Sequence, residues 1–409
     1  MHTYSQRHYK LALVGMCLLL ITLAFASCSP IGGSTNNAGN KNSSPTQSAK
    51  DGSTNVSPNV TADAVTPAPQ VKLGAQPCPA VVSNPTHWDA IIGTQSGVSA
   101  VSRVTCANLI GNPTLQALIL VGYQGTGNVV DVYVYNNITS PSPTQLFKLQ
   151  NLYKGDARIG GYNTILTAEV DQNSSVNKNT GGANAQQPDL FREFKWSDGA
   201  GTFAAVPFPG LFPVLTRYQA ETDQQQVNQG HQPWQLSASM TAQALAANLL
   251  KWAPNAPATI VQGGGKQDIG AIVDVKHPNP GGTIRVTMTR LYGNRNGGIW
   301  IATGVTTPGM SIDVPKKNDR LTSPVNVAGM SKAFEGKAGT IRILDHTETD
   351  IGHADVQPAQ GMGNTTYTAT VSYNSTFKTG TQEGIVALYL ISNADGSIAG
   401  VVMIKVLLG

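Results

Sequence analysis

Charge is what this sequence has least of. Asp, Glu, Lys and Arg make up 12% of the 409 residues, about half the share usual in soluble domains. Lys and Arg outnumber Asp and Glu by 27 to 23, a formal net charge of +4. No basic stripe stands out, so phosphate neutralisation has no platform and no nucleic-acid partner is expected. Cysteine is scarce too, with four in the whole chain. Long apolar runs are missing: the best, Leu11 to Phe25, has 15 residues, short of the about 20 that a spanning helix needs. The seven histidines are scattered singly. No GxSxG elbow, HExxH pair or framed pair of carboxylates occurs. The reading is therefore non-enzymatic, with no catalytic residue, cofactor or metal ligand assigned.

What is present begins at the N-terminus. Arg7 and Lys10 give a short basic start, and the uncharged run to Phe25 closes on Ala26-Ser27-Cys28. That order suits a secretory signal. Small residues directly before a cysteine resemble the lipobox of bacterial lipoproteins, with Phe25 standing where Leu is commoner. The resemblance implies that residues 1–27 are removed and that Cys28 becomes a lipidated N-terminus. Ordinary secretion with a free Cys28 is the alternative. Both put the mature chain outside the cytoplasm, and the lipobox implies a cell-membrane protein, lipid-anchored and facing the extracytoplasmic side. Residues 28–72 are dominated by Ser, Thr, Asn, Gly, Ala and Pro. With almost no large apolar side chains they cannot offset the entropy of ordering, so they are expected to act as a disordered tether.

Once Cys17 leaves with the signal and Cys28 carries lipid, Cys78 and Cys106 are the thiols left in the folded part. An even pair in an oxidising compartment reads as one disulfide. Closing a loop of roughly 28 residues is worth about 3 to 4 kcal/mol on the chain-entropy model.

The folded part is expected to be mainly β and multidomain. Residues 73–215 read as a β-rich domain, with Leu115 to Tyr123 and Val129 to Tyr135 as its best strands. The second alternates as a sheet with one solvated face would. The polar stretch from Asp171 to Gln187 reads as an exposed loop. Arg192-Glu193-Phe194-Lys195-Trp196 suits a half-buried strand with paired surface charges, or a ligand-stacking Trp196. Residues 216–314 read as an α+β domain. A polar helix runs from Arg217 to Gly230, and a second is capped by Ser237 or Ser239, carries the stripe Ala242, Leu245, Ala246, Leu249, Leu250 and Trp252, and is ended by Pro254. Strands follow at 259–261, 269–275, 283–291 and 298–305.

Residues 321–409 carry a pattern of their own. Ser323-Pro324-Val325 with Val327-Ala328-Gly329, then Ala333-Phe334-Glu335-Gly336, Ile341-Arg342-Ile343-Leu344-Asp345 and Ala394-Asp395-Gly396-Ser397 resemble the immunoglobulin-like domain of bacterial spore germination lipoproteins. That implies a C-terminal immunoglobulin-like β-sandwich over 320–409 with Phe334 packed in its core. The lysine-bearing stretch Pro315 to Arg320 reads as a linker before it, so this domain is expected to fold alone. Residues 77 to 310 do not match the germination module that family members often carry upstream.

Asp345 to Asp355 is the densest group of metal-capable side chains. His346, Glu348 and His353 could serve an ion in principle, but the spacing suits a solvated strand edge. Gly263-Gly264-Gly265-Lys266 lacks the earlier glycine and the Ser or Thr of a phosphate loop and reads as a hairpin turn. His231 and Trp234 are placed to line a groove, and His87 with Asp89 is a local pair. The function that follows is binding or scaffolding at the cell envelope, with a link to sporulation or germination, and envelope proteins or cell-wall polymer as partners. A cell-wall hydrolase and a carbohydrate- or peptide-binding lipoprotein are the alternatives.

Overall fold

The computed structural model describes residues 71–409 apart from 126, 278–281, 296, 334–337, 360–362 and 393–394. Cys28, the tether to residue 70, Phe334 and Ala394 lie outside the described residues. The chain is mainly β, as its alternation predicts.

Helix α1 (Pro85–Ile92) opens the fold, with Asn84 as N-cap, Pro85 in the first turn and left-handed Gly93 as C-cap. Two antiparallel meanders follow: β1 (Ser99–Ala107), β2 (Gln116–Tyr123), β3 (Val130–Asn136) and β4 (Thr144–Leu152), then β5 (Asp156–Ile159), β6 (Ile165–Glu169), β7 (Leu190–Ser197) and β8 (Thr202–Val206). They face each other across a core that includes Leu118, Leu120, Val132, Val134, Ile165, Phe194 and Phe203. The outer face of the first sheet is covered as well. Trp88 of α1 packs there with Ile119, Tyr133 and Tyr135, and its indole donates to the Val82 carbonyl at 2.7 Å. Cys78 and Cys106 are joined, with Cα atoms 5.3 Å apart, which fixes the segment before α1 onto β1. Burial on both sides explains the continuous apolar run of β2. It also corrects the expectation for β3, which has no solvated face. Asp131 is buried there and accepts from Asn151 N, Gln150 Nε2 and the hydroxyls of Tyr123 and Tyr133.

The polar helix expected next is α2 (Arg217–Asn228), capped by Thr216. The second is α3 (Ala238–Leu250), capped by Ser237 and ended by left-handed Lys251 rather than by Pro254. Its stripe of Ala242, Leu245, Ala246 and Leu250 packs on the meander β9 (Ala258–Gly263), β10 (Gly270–Lys276), β11 (Thr283–Arg290) and β12 (Trp300–Thr306).

The C-terminal part is a sandwich. Strands β13 (Ser311–Val314), β14 (Arg320–Leu321), β15 (Val325–Ala333), β16 (Thr340–Leu344), β17 (Asp350–Asp355), β18 (Gly363–Val371), β19 (Gln382–Ile391) and β20 (Ile398–Leu408) divide between two sheets. One is β13-β15-β18. The other runs β17-β16-β19-β20 and continues without a break into β12-β11-β10-β9, with β14 pairing β20. The break at 315–320 is therefore not where the structure changes unit. Strand β13 lies before it and pairs with β15, while β20 and β12 share a ladder across it. Strand β19 has two buried faces. Val386 and Leu388 face the sandwich core, whereas Ile385, Ala387 and Tyr389 join the core beneath α3. The described residues belong to one compact unit, and among them no helix is long and apolar enough to cross a membrane.

This architecture changes what a fragment can do. Residues 320–409 alone lack β13 and expose Ile385, Ala387, Val401 and Met403, so calorimetry of that fragment is expected to show no cooperative transition. A sharp transition with native-like near-ultraviolet dichroism would mean that the shared core contributes little.

Candidate functional site

Two features stand out where the units meet. The first is a buried polar seam between the N-terminal sandwich and the C-terminal one. Two of the three charges of β7, expected at the surface, are inside it, with Arg192 8% and Glu193 5% exposed, whereas Lys195 is exposed. Arg192 pairs with Glu169 of β6 and stacks over Phe377, while Glu193 accepts from Arg217 Nε at 2.7 Å. Further along, Glu383 of β19 accepts from Phe208 N at 2.8 Å, and Lys405 of β20 donates to the Leu215 carbonyl at 2.5 Å. Their charged ends are 3.4 Å apart and neither is exposed. Burial pushes the Glu383 carboxyl up and the Lys405 ammonium down, each opposed by the other's charge.

His346 completes the seam. Its Nδ1 meets Gln382 Oε1, and its Nε2 lies 3.6 Å from Asp189 Oδ2. Burial favours the neutral ring, but hydrogen bonds to Asp189 and Gln382 and the charge of Asp345 outweigh it, so the pKa is raised. Next to it, Ser175 bonds both Thr347 and Thr349. The start of the stretch, Asp345 and His346, is thus not the solvated edge expected of it, whereas β17 is the edge strand of its sheet with His353 and Asp355 exposed. Asp345 is buried and closes a tight turn by accepting from Thr347 N and Thr349 N. His353, in contrast, is largely exposed and 3.3 Å from Asp350, so the possible ligands diverge. Among the described residues no group of three or more His, Cys, Asp or Glu could hold a metal ion.

The second feature is a cleft of about 400 Å³ between the end of α3 and the β19–β20 hairpin. The left-handed turn at Lys251 swings Trp252 back over the helix, where its indole donates to the Ile398 carbonyl at 2.9 Å. Trp252 meets the His277 ring edge-on at 4.8 Å. Leu249, Ile391 and Ile398 supply apolar wall, and Arg342, Lys251 and His277 supply basic groups. The guanidinium of Arg342 lies 5.5 Å from the Tyr389 ring centre. Burial, foremost, pushes the Tyr389 phenol up to about 12, so its hydroxyl stays neutral. No carboxylate lines the cleft among the described residues. Apolar wall, aromatic rings and a basic rim are the chemistry of holding a ligand.

Most of the residues singled out in the sequence serve structure. Trp196 donates to Asp198 at 2.7 Å. Trp234 packs toward Phe212 rather than lining a groove. Asp89 accepts from Thr94 Oγ1 and Val101 N, tying α1 to β1. The triglycine is the β9–β10 turn, with Gly263 and Gly264 at positive φ. Of the cleft, sequence reading named Trp252 and Arg342 only as parts of other patterns and missed Tyr389 and His277.

Comparison with known families agrees with the C-terminal sandwich. Residues 310–397 match the immunoglobulin-like domain of bacterial spore germination. The match covers about a fifth of the chain and starts just before β13, consistent with the strand pairing. No curated protein matches the chain.

The seam has a pH signature. A histidine with a raised folded pKa contributes stability that is full below its ordinary 6.5 and is lost as pH rises through the folded value. Glu383, ordinarily 4.5 and raised by burial, acts in the same direction over the acid side. Burial lowers the Lys405 ammonium, which acts the other way as pH rises toward its ordinary 10.5. The melting temperature is thus expected to fall between pH 5.5 and 8, and His346→Gln should flatten that slope above 6.5. A variant with the wild-type slope would show that His346 is not the titrating group.

Proposed function

We propose that this protein is a lipid-anchored component of the bacterial cell envelope that serves sporulation or germination by binding or scaffolding, without catalysing a reaction. The match of residues 310–397 to the immunoglobulin-like domain of bacterial spore germination carries the reading. The lipobox-like Ala26-Ser27-Cys28 and the polar stretch after it support attachment through a tether on the extracytoplasmic side. The shared sheet supports the scaffolding element, because units with a common core present their surfaces in fixed relation. The cleft beside α3 supports binding, and its position where two units meet is where ligand sites commonly form. Envelope proteins or cell-wall polymer are the partners in reach of such an anchor.

Detergent phase partitioning of cells and spores tests this reading. The wild-type chain is expected in the detergent phase, and Cys28→Ala in the medium or as uncleaved precursor. Spores lacking the protein should lose refractility late after a germination stimulus. A Cys28→Ala protein recovered from the detergent phase in trimmed form, together with spores of normal timing, would contradict it.

A further inference from the structure

The cleft beside α3 has a basic group poised for a ligand. Arg342 is about half exposed, with its Nε leaning toward Asp350 at 3.7 Å. Its two terminal nitrogens have no hydrogen-bond partner among the described residues, and they belong to a side chain that lines the cleft. The other basic groups differ. Lys251 Nζ is used by the Asn248 carbonyl at 2.7 Å, and the His277 ring packs on Trp252. The apolar wall of Leu249, Ile391 and Ile398 lies in the same cleft.

From this juxtaposition we propose that the cleft binds a monoanionic carboxylate attached to an apolar side chain. The carboxylate takes the planar fork of Arg342, and the side chain lies along Leu249, Ile391 and Ile398. A guanidinium offers two parallel N–H donors that match the two oxygens of a carboxylate. A dianionic phosphate fits less well, because Asp350 stands beside the same guanidinium. The cleft's size, about 400 Å³, falls within the range of small-molecule sites and suits one apolar residue rather than a polymer. Two sources offer this chemistry, a free N-blocked apolar amino acid and the C-terminus of a peptide. The inference rests on the reading of the protein as a binder and is independent of its anchor.

Calorimetric titration of the mature chain with N-acetyl-leucine and with an acetylated tetrapeptide ending in leucine tests it, each as free acid and as amide. Both acids are expected to bind, and both amides about tenfold more weakly or worse, as loss of a charged hydrogen-bond partner implies. Arg342→Gln should bring the acids down to the level of the amides, and Arg342→Lys should restore part of the difference. Ile391→Glu, at an exposed position of the same cleft, should repel the acids. A tighter peptide acid assigns the site to peptide C-termini, and equal affinities assign it to free acids; either supports the shared chemistry. Acids and amides binding alike, no acid binding at millimolar concentration, or wild-type affinity in Arg342→Gln would overturn the proposal. Such a failure alongside normal partitioning and delayed germination would remove the cleft assignment and leave the envelope role standing.

Discussion

Lys405 has an ammonium group with no exposed surface, in the strand that joins two halves of a sheet. Taking such a charge out of water costs several kcal/mol unless partners replace the solvent. Here the partners come from two places. Glu383 belongs to the neighbouring strand, whereas the Leu215 carbonyl belongs to the connector leaving the N-terminal sandwich. Glu383 in turn takes the amide of Phe208 from that same connector. The ion pair can be satisfied only when the connector lies across β19 and β20, so burying the charge and docking the units are one event.

The rest of the architecture follows from that constraint. With the connector fixed, Leu211, Phe212 and Leu215 enter the core beneath α3, and Phe212 pairs with Ala302 of β12. Strand β19 then has an apolar face on each side, which is why Gln382 to Leu390 shows no solvated alternation. Arg192 and Glu193 point to opposite faces of β7; the first is covered by Phe377 and the second by Arg217 of α2. A cleft formed between such units keeps its shape, because its walls cannot shift independently. Fixed walls reduce the ordering cost of binding.

Much of this was legible in the sequence where a local rule sufficed. Ser237 before an apolar stripe at helical spacing gave α3, and the two remaining cysteines gave a pair that the structure joins. The pattern around Ser323-Pro324-Val325 resembled an immunoglobulin-like unit, and the region is one. The short α1 was missed although Asn84-Pro85 and Gly93 mark its two ends. Eight residues, of which only Trp88 is buried, leave little apolar period to read. The larger misreadings concern residues whose partners are distant in sequence. Arg192 and Glu193 look wet in the sequence, and only Glu169, Arg217 and Phe377 make them dry. His346 looked solvated because Asp189 and Gln382, its partners, lie far away along the chain. The cleft was hidden likewise, because β16, β19 and α3 each contribute one or two side chains to it.

The central claim is that the buried pair of Lys405 and Glu383 holds the connector and thereby the units together. Urea unfolding of Lys405→Met tests it most directly. Leaving Glu383 buried without its partner should cost about 3 to 5 kcal/mol and separate the single transition into two. A Lys405→Met chain that unfolds in one transition at the wild-type midpoint would contradict it.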